Sequence, residues 1–434
     1  MPSSQGGFNL DISGVAGFFG GEATRSAVAR AHMLYEGGRW LGWYNQPGSY
    51  DIAGRYARIS NSTLSRALFP GPRDGEDLTT LFQLDGTVGP KFTSLQSGLV
   101  IPSTGHTARL LMEECKAQSN YESSGASYRT TAPQFVTVVN LDHAPPSTLI
   151  PRRRRGMGLF PAFVPILVSL AGCGLCAKWK DWYCFSMILL GVVASGVSCL
   201  IVGAAILKFQ HPIAAQGAPA GDGLMIDAGG TEMAILKGAE DATNPITRGR
   251  FVLDYRSEPP YHNISFCSLL LTIQFLSQLL LVPQGTLHGQ LLFLGTLVCS
   301  WAYNSYVSTW DGESFQRRIL VEQILRLQPE QIKKYRLGTR TATVVFVLLV
   351  LSPAPPGAAQ KLLNEMLPQD TPVWRQWKND VLFGIHTFLD KNRQTFSFHF
   401  PQRDTSVHGI DDALLKTLDS DAEAGAEMYR RYRG

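Results

Sequence analysis

Four carboxamide side chains stand where such groups are costly. Gln274 and Gln278 lie four residues apart, and Gln290 and Asn304 follow, all inside stretches that are otherwise apolar. A carboxamide carries two donors and one acceptor, and two of them four apart share a helix face. That spacing suits either hydrogen bonds that tie one buried helix to another or the lining of a polar path. The first use is the commoner, so an interhelical tie is the expectation, with a channel or transporter path at Gln274, Gln278, Gln290 and Asn304 as the alternative. The pair Cys173 and Cys176 has redox and half-zinc spacing, but neither a second cysteine pair nor a strand-helix-strand context accompanies it. Cys184 sits at the edge of an apolar run, as palmitoylated cysteines do. Asp222 and Asp227 stand beside glycines without the spacing of a calcium loop, two short apolar pieces flank "DAGG" (227–230) as in a hairpin, and no phosphate-binding glycine motif occurs. Neither a nucleophile elbow nor a zinc-protease or kinase signature is present. We therefore assign no catalytic, cofactor or metal residue and expect no enzyme activity; a lipid-acting site using His262 or His288 is the remaining enzymatic option.

The elements that would hold these residues are long apolar runs. About 20 residues of helix cross a hydrocarbon core. Met157 to Ala177 is uncharged for 21 residues, Trp182 to Leu207 for 26, Ile264 to Pro283 for 20 and Thr286 to Val307 for 22. The connections within each pair are short, so the runs read as two hairpins. Trp179, Trp182, Tyr183, Trp301, Tyr303, Tyr306 and Trp310 sit at run ends, where interfacial aromatics collect. The expected fold class is an α-helical multi-pass membrane protein with four transmembrane helices as two hairpins and mixed α/β cytoplasmic regions. A soluble core helix seldom runs so far without charge, which disfavours the alternative.

Charge placement fixes an orientation. The chain has 434 residues and a formal net charge of +4, from 39 Lys and Arg against 35 Asp and Glu. The flanks are balanced, with 11 basic and 12 acidic residues over 1–150 and 10 and 11 over 353–434, so the excess lies beside the apolar runs. Basic residues in short loops stay cytoplasmic, which makes Arg152, Arg153, Arg154 and Arg155 a topology anchor. The loop from Lys208 and the segment 308–340 fall on the same side, and both termini are expected to be cytoplasmic. Clusters beside a membrane, without basic residues spread along an aromatic-rich face, argue against nucleic acid.

The chain divides, on this reading, into an N-terminal cytoplasmic region, 1–156, partly disordered, and a first hairpin, 157–207, with spans 157–177 and 182–207. A loop subdomain, 208–263, precedes a second hairpin, 264–307, with spans 264–283 and 286–307. Basic amphipathic juxtamembrane helices occupy 308–340, the second starting at Pro329, suited to anionic lipid headgroups, and a C-terminal region that ends in a polar helix or tail occupies 341–434. Within the last, the strongly apolar part of 341–360 is short and is broken at Pro353, so a buried strand, a short core helix or a segment dipping into the interface is expected there, with a fifth span as the alternative. Gly191, Ser195, Cys199 and Gly203 repeat every fourth residue, the spacing of a helix-packing seam, which would join helices or copies of the chain in a homo-oligomer. The function expected is that of a non-enzymatic membrane scaffold or interaction protein, needing no cofactor, with the lipid bilayer as its partner.

Overall fold

The computed structural model describes residues 21–60, 62–70, 77–123, 132–153, 157–254, 260–352, 356–390 and 412–433. Its principal helices, in chain order, are α1 (Gly21–Ala27), α2 (Ser49–Ile59), α3 (His106–Ala117), α4 (Phe163–Lys178), α5 (Trp182–Val202), α6 (Glu240–Thr247), α7 (Pro260–Leu281), α8 (Leu287–Ser308), α9 (Arg340–Leu351), α10 (Pro356–Met366), α11 (Pro372–Asp390) and α12 (Asp412–Arg433). The strands are β1 (Lys91–Ser94), β2 (Val100–Ile101), β3 (Tyr121–Ser123), β4 (Gln134–Asn140), β5 (Ser147–Leu149), β6 (Ile206–Gln210), β7 (Gly223–Ile226), β8 (Glu232–Lys237), β9 (Arg250–Asp254) and β10 (Ile332–Leu337).

The chain forms two compact units, each gathered from three separate stretches. The first contains 1–86, 148–209 and 251–315, and the second 87–147, 210–250 and 316–434. The consecutive blocks read from the sequence are thus cut across. Residues of the N-terminal 1–156 are shared between both units, and so are those of the 208–263 loop and of the 308–340 segment.

Among the described residues of the first unit, three helices are long and apolar enough to cross a membrane: Phe160–Lys178, Trp182–Val202 and Asn263–Gln284. Helix α8 is as long as α7, but its polar residues His288, Gln290 and Asn304 dilute it. Asp181 caps α5 by accepting from the Cys184 amide at 3.1 Å, and Thr286 caps α8 by accepting from the Gly289 amide at 3.2 Å. The same Asp181 carboxylate accepts from the Thr286 amide and hydroxyl, both at 2.7 Å, so one side chain joins the turn of the first helix pair to the turn of the second. The helices bury small and polar faces and expose apolar ones: Phe163, Leu167 and Leu170 on α4, Leu189 and Val193 on α5, Ile273, Leu276 and Leu280 on α7, and Leu287, Leu291 and Val298 on α8 are all exposed. A three-stranded sheet runs in the order β5-β6-β9.

The second unit is an α/β layer. Its seven-stranded sheet runs β2-β1-β7-β8-β4-β10-β3, with β4 parallel to β8, β3 parallel to β10, and the other pairs antiparallel. Strands β7 and β8 make the hairpin expected around Asp227 and Gly230, where Gly230 takes a positive φ of 66°. Alternation sorts the two faces. Val136, Val138, Met233, Ile235, Tyr335 and Leu337 point to a core shared with α9, α10, α11 and α12, while Lys334 points oppositely and bonds the α3 carbonyls of Cys115 and Lys116 at 3.1 and 3.2 Å.

One expectation changes here. Residues 332–337, read as part of a basic juxtamembrane helix after Pro329, form strand β10 inside this sheet, because Ile332, Lys334, Tyr335 and Leu337 satisfy a strand alternation with both faces covered. The candidate fifth span at 341–360 contains α9, only 12 residues long, with every residue from Thr341 to Leu351 buried by protein. Ser352 then turns out of it with a φ of 45°. Helix α12, read as a polar helix or tail, buries Leu415, Leu418, Ala422, Ala426 and Met428 against this core, and Gly425 brings it so close to α9 that an added Cβ would overlap the Ala342 carbonyl.

Candidate functional site: a polar insert in the helical unit

Residues 21–59 do not stand apart from the apolar helices. Helix α1 continues as a π-helical turn, Val28–Met33, along α8, and Gly37, with a φ of 74°, reverses the chain. A short turn, Gly38–Leu41, lies on α5, and α2 returns along α7. Between them the stretch "GWYNQPG", 42–48, is enclosed by α4, α5, α7 and α8. Gly42 and Gly48 bracket it, and Gly42 is needed because a Cβ there would overlap Cys199.

Three consecutive side chains of this stretch take up the polar groups of the helices. The Tyr44 hydroxyl donates to Asn304 Oδ1 at 2.9 Å, and Asn304 Nδ2 donates to Thr24 Oγ1 at 3.1 Å. Asn45 donates its backbone amide to Ser169 Oγ at 3.0 Å and Nδ2 to Thr296 Oγ1 at 2.9 Å, and its Oδ1 accepts from Gln278 Nε2 at 3.3 Å. Gln46 Oε1 lies 2.8 Å from Ser195 Oγ, which also reaches the Gly42 carbonyl at 2.7 Å. Asn45 therefore touches α4, α7 and α8 at once. Burial without such partners would cost each polar group about 1–3 kcal/mol.

Each residue singled out from the sequence can now be placed. Gln274, Gln278, Gln290 and Asn304 are all buried, but they are not gathered on one path. Gln278 and Asn304 bond the insert, whereas Gln290 folds back on the Pro283 and Gly285 carbonyls at 3.3 and 3.1 Å. Gln274 is buried with neither amide atom bonded to any described residue. The stripe of Gly191, Ser195, Cys199 and Gly203 faces the insert: a Cβ at Gly191 would overlap Asn45 Oδ1, and one at Gly203 would meet Arg39 Cβ at 2.8 Å. The seam is thus filled from within the chain, by an N-terminal segment. Cys184 is buried against Gly285 and Gly289, away from any acylating reagent, and His288 stacks edge-on with Trp179 at 5.7 Å. The His262 side chain, Arg154 and Arg155 lie outside the described residues.

Arg152 and Arg153 are structural as well as charged. Arg152 Nη2 donates to the Gly203 and Ala205 carbonyls at 2.7 and 2.9 Å, just past the end of α5, where the helix dipole favours a cation. Arg153 lies over the Tyr35 ring, 5.5 Å from its centre, and its backbone pairs with Leu34 and Glu36. Arg30 donates to the Ser308 carbonyl at the end of α8. The sequence reading missed Thr24, Tyr44, Asn45, Gln46 and Thr296. The available signal was the dense glycine spacing at 37, 38, 42 and 48 around an uncharged aromatic and amide stretch.

In the second unit, a cleft of about 470 Å³ opens where β4 and β8 end, lined by Asn140, Lys237, Asp222, Lys333, Tyr432 and Arg433 among others. Lys237 is already committed to the Val350 carbonyl at 3.1 Å. Among the described residues no cluster of three or more His, Cys, Asp or Glu is placed to hold a metal. Comparison with protein families, curated proteins and solved structures returns no match.

Proposed function

We propose that the chain is an integral membrane protein in which α4, α5, α7 and α8 cross the bilayer as two hairpins and the N-terminal insert locks them. The exposed apolar stripes on all four helices, α8 included, support the four-span reading, because lipid takes the place that a soluble protein's core would fill. Both termini lie on the cytoplasmic face, with Arg152 to Arg155 as anchor. The unit serves as a non-enzymatic membrane scaffold, and its α/β unit presents surfaces for interaction. One observation carries this reading: of the four amides that would line a conduit, Gln278 and Asn304 are spent on Asn45 and Tyr44 of the insert, and Gln290 on carbonyls of its own turn.

The test is flux through the purified chain in liposomes. A scaffold gives no ion or solute flux, and the double variant Gln274→Leu and Gln278→Leu changes thermal stability only. Wild-type flux that this variant abolishes sinks the scaffold reading. A second reading, a conduit closed by the insert, is favoured by the unpaired amides of Gln274 and of Gln46 Nε2 in the buried interior. Under it, Asn45→Leu opens a flux that the wild type lacks.

A further inference from the structure

A cleft of about 760 Å³ lies in the first unit, at the end of α5. Arg39, Trp40, Leu149, Arg152, Ile206 and Glu36 form the parts of its wall that matter here. Its chemistry is two-sided. Trp40 is 55% exposed and Leu149 62%, so a large apolar surface faces outward. The Arg39 guanidinium lies 5.4 Å from the centre of the Trp40 ring and enters no ion pair among the described residues. Arg152 adds a second positive charge, held in place by the Gly203 and Ala205 carbonyls, and Glu36 is the single acid in the wall.

The placement of Arg39 is built in. Its Cβ rests on Gly203, where any side chain would intrude, and the reversal at Gly37 sets the position of the 38–41 turn. A tryptophan beside an arginine, at the end of an apolar helix, is the composition of a membrane interface. Net positive charge there attracts anionic headgroups, and a guanidinium is matched in geometry to phosphate oxygens.

We propose that this cleft binds the headgroup of an anionic phospholipid. The phosphate pairs with Arg39, Arg152 supplies a second charge, and Trp40, Leu149 and Ile206 cover the glycerol and the first methylenes of the chains. The site is separate from the 308–340 segment to which the sequence pointed for headgroups. It rests on the membrane reading above, since it requires the end of α5 to lie at headgroup depth.

The experiment uses the full chain purified in detergent and equilibrated with mixed micelles of phosphatidylserine and phosphatidylcholine, with the lipid retained on the protein quantified by mass spectrometry. Wild type retains phosphatidylserine in excess over its share of the mixture. Arg39→Gln lowers that enrichment about fivefold, the worth of one basic residue at an anionic surface, while Arg39→Lys keeps most of it. Arg248→Gln, an exposed site in the other unit, leaves it unchanged. Equal retention of the two lipids by wild type overturns the proposal, as does an Arg39→Gln variant that is folded and enriches phosphatidylserine like wild type. Displacement of the lipid by millimolar glycerol phosphate alone would mark a free-phosphate site and overturn the lipid assignment. Alkaline carbonate extraction of cell membranes tests the underlying reading separately: a chain released by carbonate removes the membrane premise, whereas a chain that stays behind leaves only the cleft in question.

Discussion

At the level of single residues, Asn45 and Asp181 hold more than their positions in the sequence suggest. Asn45→Leu removes two side-chain hydrogen bonds and leaves Gln278 and Thr296 each short of one, though Gln278 keeps the Met187 carbonyl at 3.3 Å. Hydrogen bonds between helices in lipid are worth about 0.6 kcal/mol each, up to about 1.7, so a loss of about 1–3 kcal/mol is expected in denaturant unfolding of the detergent-solubilised chain. Asp181 gives a pH signature. Burial would push its carboxyl up, but the hydrogen bonds it accepts from Thr286 and Cys184 outweigh that and hold it below the ordinary carboxylate value. A depressed carboxylate contributes stability that is complete above its unfolded value of about 4 and is lost as pH falls through the lower folded value. Thermal midpoints measured from pH 5 downward should fall for wild type, and Asp181→Asn should start lower and vary less. Cys115, outside the apolar helices, has a thiol pushed up to about 12 by burial. It is a packing residue.

Among the elements, β10 shows why part of the fold was hidden. "IKKYRL" has the charge of a solvated helix, yet Lys334 is buried, 3.3 Å from the Glu232 carboxylate, with its ammonium on the end of α3. Only the partner strands β4 and β3 supply the reason for a strand there, and they come from residues about 200 positions earlier. Lys334→Met should cost the second unit about 3–5 kcal/mol, the range for breaking one side of a buried pair, and Glu232→Gln in the same chain should return part of it. Chemical unfolding of the two single variants and the double variant measures that coupling. The apolar helices were legible for the opposite reason. Their signal is local, an uncharged stretch of the needed length, and it gave α4, α5 and α7 within a few residues of their observed bounds. The β7–β8 hairpin was legible from "DAGG" alone. Asn45 was not, because a single amide in a short glycine-flanked stretch has no periodicity, and its partners Ser169, Gln278 and Thr296 are scattered over three helices.

For the whole molecule, the proposed orientation makes a clear statement about access. Epitopes placed at the N-terminus, within 214–220 and at the C-terminus should all be digested when protease is added to sealed vesicles of cytoplasmic-side-out orientation. Protection of the C-terminal epitope alone would put α9 through the bilayer, against its enclosure within the second unit, and protection of the 214–220 epitope with an accessible N-terminus would mean that only one of α4 and α5 crosses.

The insert also sets a schedule for synthesis. Asn45 and Thr296, joined in the finished protein, are 251 residues apart in the chain, and at about 5–20 residues per second a ribosome needs roughly 13–50 seconds to travel between them. Throughout that interval the "WYNQ" stretch has left the exit tunnel while α8 does not yet exist. The first hairpin can offer it only Ser169 and Ser195, so newly made protein passes through a stage with an open-sided bundle and uncommitted amides. Quality-control factors that survey nascent membrane proteins would meet that stage in every copy, and a ribosome stalled before α8 would hold it in place.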